Sequence, residues 1–127
     1  MAAREGTRAS KHEVRVRRAY DEPVRTDGAR VLVDRIWPRG LSKERADLHE
    51  WCKPVAPSTT LRKWYGHDPE RFEEFGRRYR AELEEPERAE ALRHLRDLAM
   101  HGTLTLLTAT KHADISEAVV LAELLRR

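Results

Sequence analysis

The chain has 127 residues, a formal net charge of +3 and 39% apolar residues, which suits one folded domain with a core of its own. Its single cysteine, Cys52, excludes an internal disulfide framework and any metal cluster built on several cysteines. No apolar run reaches the roughly 18 residues of a membrane span, and the polar opening MAAREGTRASKHE carries no signal core. The expectation is a cytoplasmic protein with no membrane partner.

The positive charge is uneven. Residues 1–40 hold ten Lys/Arg against six Asp/Glu, and the remainder is nearly balanced. Arginine outnumbers lysine twenty to five. Its bidentate fork suits phosphate, although a GC-rich genome gives the same bias without any ligand.

Residues 1–12 lack apolar periodicity and read as a flexible tail, leaving 13–127 as a single domain. Glu13 to Tyr20 alternates and predicts a first strand, followed by a loop over Asp21 to Ala29. Val31 to Arg35 predicts a second strand whose continuous apolar start suits burial on both faces. Ser42 is placed to cap a short helix running through Leu48 and Trp51, and Ser58 to cap one carrying Leu61, Trp64 and Tyr65. Asp68-Pro69 then starts a helix with Phe72, Phe75, Tyr79 and Leu83 on one stripe. Pro86 opens the next, with Ala89, Leu92, Leu95 and Ala99 inward, and Gly102 stops it.

Thr103 to Ala109 predicts the third strand. Asp114-Ile115-Ser116-Glu117 has the form of a capping box, before a helix that buries Ala118, Val119, Leu121, Leu124 and Leu125. Strands separated by helices imply an α/β fold: a small, mostly parallel sheet of three to four strands with right-handed crossovers, flanked by helices.

Strands two and three would deliver their following loops to one edge of that sheet, where α/β proteins open their crevices. One loop offers Asp34, Arg35, Trp37 and Arg39 within VLVDRIWPRG; the other offers Thr108, Thr110, Lys111 and His112 ahead of a helix amino terminus. Cations beside free helix N–H groups attract an anion, so a small phosphate- or carboxylate-bearing ligand is expected on Arg35, Arg39 and Lys111. Asp34 would orient an arginine, Trp37 would stack or staple, and Ser58 or Ser116 would add a hydroxyl contact. If there is catalysis, His67 or His112 is the acid–base candidate. The plainer alternatives are that Asp34 and Arg35 close the sheet end, that Trp37 is core, and that His67 serves a turn.

Cys52 reads as a small, partly buried side chain, lacking the setting of a nucleophile. No metal-ligand spacing, phosphate loop or dinucleotide fingerprint is present, so no metal or cofactor is expected. Two further readings stand beside anion binding. One is nucleic-acid contact through the arginine-rich first 40 residues; the other is a non-catalytic interaction protein anchored by Trp37 or Trp64.

The ordered set RVLVDRIWPRG, VAPSTTLRKWYGHDP, a Phe/Tyr-bearing helix, TLTLLTATK and AVVLAELL resembles the YeaO-like branch of the domain-of-unknown-function 488 (DUF488) family. The resemblance runs from about Val14 to Leu125 and implies a compact bacterial α/β protein of the cytosol, with no activity established. The motif positions fall on Asp34, Arg35, Trp37, Pro38, Arg39 and Gly40, then Ala56, Pro57 and Ser58. They continue through Leu61, Arg62, Trp64 and Gly66 to Pro69, and end at Lys111. Relatives commonly carry His-Ser or His-Asn before the last helix, where this chain has Ile115-Ser116. The resemblance thus implies the loss of an imidazole at that loop, with His112 three residues away.

Overall fold

A computed structural model describes residues 13–127; the expected tail over residues 1–12 lies outside the described residues. Four strands form one sheet: β1 (Val14–Arg18), β2 (Ala29–Leu32), β3 (Glu50–Trp51) and β4 (Leu104–Thr108). The order is β1-β4-β2-β3 and every pairing is parallel. The helices are α1 (Lys43–Ala46), α2 (Thr59–Tyr65), α3 (Phe72–Glu82), α4 (Pro86–His101) and α5 (Glu117–Arg126).

One face of the sheet presents Val14, Val31, Val33, Leu104 and Leu106 to the main core. There the stripe Phe75, Tyr79 and Leu83 of α3 and its end meets Leu95 of α4 and Leu121 of α5. Tyr79 is fully buried, and its hydroxyl donates to the Val55 carbonyl at 2.5 Å, so the large ring enters the core with its polar end satisfied. The opposite face carries Leu32 and Leu107 under Ala19, Leu41 and Ala46. The Val31-Leu32-Val33 run is therefore buried on both sides, as its lack of alternation suggests.

That second face also encloses a charge cluster. Asp27, fully buried just before β2, accepts from Arg17 Nη1 and Arg30 Nη1, each at 2.7 Å, and from the Val24 N–H at 3.1 Å. Arg30 spends its other nitrogens on the Ala46 carbonyl, at 3.1 and 2.9 Å. The Thr105 hydroxyl donates to the Asp27 carbonyl at 2.7 Å. Burial alone would push the Asp27 carboxyl up, but the Val24 N–H and the Arg30 and Arg17 guanidiniums outweigh it, and its pKa lies below the usual value. Next to it Gly28 has φ +64, and a Cβ there would collide with the Thr103 carbonyl.

Three expected elements differ. β2 runs over Ala29–Leu32 rather than Val31–Arg35, because Ala29 and Arg30 pair with Leu104 and Thr105 of β4. The segment from Ser42 does not stay helical through Trp51: α1 ends at Ala46, Asp47 turns left-handed at φ 48, and Glu50–Trp51 joins the sheet as β3. Hydrogen bonds from the His49 N–H to the Arg30 carbonyl and from the Cys52 N–H to the Leu32 carbonyl, both 2.8 Å, draw it there. Pairing to β2 outweighs the local helical pattern. The capping box also shifts. Ala113–Ile115 is a 3-10 turn, and Ser116 caps α5 by accepting from the Ala118 N–H. The inward side of α5 is consequently Ala118, Val120, Leu121, Ala122 and Leu125, with Val119 and Leu124 half-buried.

Candidate functional site

Because β2 and β4 are parallel neighbours, the loops after them lie side by side. Asp34 ties them together: one carboxyl oxygen accepts from the Thr108 hydroxyl and the other from the Ala109 N–H, both at 2.8 Å. The end of β1 braces the same loops. Arg18 donates to the carbonyls of Thr110 and Ala109, both at 3.1 Å, and the Tyr20 hydroxyl donates to the Arg39 carbonyl at 2.7 Å. The Trp37 indole N–H donates to the Leu41 carbonyl at 2.6 Å, and its ring meets Trp51 edge-on with centroids 5.3 Å apart. Trp51 in turn donates to the Asp34 carbonyl at 2.8 Å. The Trp37–Gly40 loop is thus held at both ends.

These loops frame an open cleft of about 410 Å³. That volume falls within the range of small-molecule sites. Asp34, Arg35, Trp37, Arg39 and His67 of the sequence-predicted set line it. Arg62 and Glu117 line it as well, and both also line an adjoining chamber of about 180 Å³. The Asp34 and Glu117 carboxyls both line this cleft. Burial and the neighbouring Asp34 push the Glu117 pKa well above the usual value, against the opposing pull of Arg62. Glu117 therefore favours its protonated form more than an ordinary carboxyl does.

The cations differ in how far they are committed. Arg62 uses one nitrogen on the Thr59 hydroxyl at 3.1 Å and another on the Pro57 carbonyl at 3.4 Å. Arg35 and Arg39 are exposed, and among the described residues neither side chain has a hydrogen bond or ion pair. His67 sits in the left-handed region at φ 58, with Nδ1 3.4 Å from the Thr110 hydroxyl. A non-glycine residue held there is strained by about 1–3 kcal/mol and marks a turn fixed by its surroundings.

Other expected residues lie elsewhere. Lys111 and His112 are exposed and do not line the cleft. Ser58 donates its hydroxyl to Glu82 at 2.5 Å and caps α2, while Ser116 donates to the Ala113 carbonyl at 2.7 Å and caps α5 from the smaller chamber. Asp34 orients no arginine among the described residues; its carboxyl oxygens accept from Thr108 and Ala109 at the end of β4. The helix amino terminus expected to receive the anion is already capped by Ser116 and carries Glu117 as its first residue.

Sequence reasoning passed over Arg62, Glu117, Arg18 and Tyr20 as site residues. Arg62 stood within the family motif, which was a usable signal. Glu117 was absorbed by the capping-box reading, and nothing local distinguishes Arg18 or Tyr20.

Cys52 is buried beside a separate hollow of about 340 Å³ near β3. Burial and the Glu50 charge raise its thiol to about 11. Among the described residues, no group of three or more His, Cys, Asp or Glu is placed to hold a metal ion. No helix of the described chain is long and apolar enough to cross a membrane.

The arrangement defines a small parallel α/β domain with an arginine-rimmed cleft over a carboxyl pair at the carboxyl ends of its strands. A family model described as the inactive DUF488-N3 subclade matches residues 13–127, and the chain belongs to the DUF488 family, in its YeaO-like branch. It is 51% identical over 112 residues to the uncharacterized protein Rv3073c of Mycobacterium tuberculosis, covering 88% of this chain and 92% of that protein. It is 40% identical over 113 residues to the uncharacterized protein YeaO of Escherichia coli, covering 89% and 96%. No solved structure matches the chain.

Proposed function

We propose that this protein binds a small anionic ligand, phosphate- or carboxylate-bearing, in the cleft at the carboxyl ends of β2 and β4, without turning it over. The observation that carries this reading is the convergence of Arg35, Arg39 and Arg62 on one cleft of small-molecule size. Two of these guanidiniums have no side-chain partner among the described residues, so they can serve a ligand at little reorganisation. Lys111, which stands outside the cleft, gives its expected place to Arg62.

Binding without turnover is supported by Cys52, Ser58 and Ser116 all standing off the cleft lining. The thiol of Cys52 is raised and lies outside the cleft, and the hydroxyls of Ser58 and Ser116 are spent on caps. The matched family is itself described as an inactive subclade. The nucleic-acid reading draws less support, because Arg17 and Arg30 are consumed by Asp27 and Arg18 by the β4 loop. The anchor reading loses Trp37 to its own loop. Trp64 is half-buried between Arg71 and Arg78, whose guanidiniums stand 5.0 and 4.3 Å from its ring.

A thermal-shift screen with inorganic phosphate, pyrophosphate and citrate tests the proposal. At least one should raise the melting temperature, and Arg39→Ala should remove that shift. No shift from any of the three would overturn it.

A further inference from the structure

The cleft lining carries two chemically unlike sets of groups. Its arginines can only donate hydrogen bonds, and they suit an anion. Its floor, where Asp34 meets Glu117, is acidic, and a bare phosphate or carboxylate pressed against it would be repelled. A hydroxyl is matched there, since carboxyl oxygens accept from its O–H where they would repel a bare anion. The Thr110 hydroxyl and the His67 ring, also on the lining, can both donate and accept. The volume of about 410 Å³ leaves room beyond a single anionic group, and the chamber behind Arg62 and Glu117 extends it.

Resting on the anion-binding reading, we infer that the ligand is a hydroxylated anion. Its charged group lies against Arg35, Arg39 and Arg62, and at least one hydroxyl bonds to the Asp34–Glu117 floor. Glu117 is then the residue that sets specificity. Arg62, which lines both cavities, touches the anion while its charge offsets that of the acidic floor.

The anion itself can be a phosphate or a carboxylate, and matched pairs separate these sources from the hydroxyl requirement. Calorimetric titration of the full chain would compare glycerol 3-phosphate with propyl phosphate, and glycerate with propionate. The hydroxylated member of the binding pair should be tighter by about tenfold, the worth of one or two well-placed hydrogen bonds. Glu117→Leu should abolish that preference, so that the two members of the binding pair bind alike. Equal affinity within the pair on the unaltered protein would overturn the hydroxyl inference while leaving anion binding intact. Failure of all four compounds to bind would overturn both. The comparison on the unaltered protein decides the matter even if Glu117→Leu does not fold.

Discussion

Two aspartates flank the same strand and live in opposite circumstances. Asp27 precedes β2 and is met by two guanidiniums and an amide, all inside the fold. Asp34 follows β2 and is met by a hydroxyl, an amide and a second carboxyl, at the edge of an open cleft. One acid is matched by the protein's own cations. The other faces another acid, while arginines nearby are left for something else. Charge resolved internally is structural; charge left unresolved beside a cavity is where a ligand adds most.

The largest effect should come from breaking the matched side. Asp27→Ala strands Arg30 and Arg17 without their carboxylate and should cost about 3–5 kcal/mol in urea unfolding. A loss below about 1 kcal/mol would erase the contrast.

The pH dependence should run in opposite directions for the two acids. Asp27 has a lowered pKa, so its contribution is present above the ordinary value of 3.8 and is lost as pH falls through the folded value. Glu117 has a raised pKa, so its contribution is present below the ordinary value of 4.5 and is lost as pH rises through the folded value. Glu117→Gln should flatten the decline that begins above pH 4.5 and leave the protein as stable or more so at neutral pH. A marked loss of stability at pH 7 would contradict the raised pKa of Glu117.

A smaller effect belongs to the rim. Arg39→Ala should alter unfolding by no more than about 0.5 kcal/mol, since it removes an exposed side chain without an internal partner. Ligand-induced stabilisation should nevertheless vanish. Wholesale unfolding would move Arg39 to the structural side of the comparison. Smallest of all, Cys52 should resist iodoacetamide at pH 8 in the folded protein and react on denaturation, because its thiol is buried and raised to about 11.

Much of the framework could be read locally. The caps at Ser58 and Asp68, the stop at Gly102 and the stripe Phe72, Phe75, Tyr79 each need only a few adjacent residues to act. β3 was not legible, because a two-residue strand has no periodicity and forms only where the Arg30 and Leu32 carbonyls await it. Glu117 carries the same lesson. Within its own segment it resembles a capping carboxyl, and only the approach of Asp34 from 83 positions earlier in the chain makes it half of a pair.

The sequence by itself determined the α/β class, the both-face burial of β2 and the gathering of Asp34, Arg35, Trp37 and Arg39 after it. Those follow from hydrophobic period, capping chemistry and short-range order. Tertiary structure alone decided which charges cancel. It folded Arg17 and Arg30 onto Asp27, set Arg62 rather than Lys111 in the cleft, and placed Glu117 against Asp34. Ionic partners are chosen by proximity in space, and residues far apart in the chain carry no mark of the neighbour they will meet.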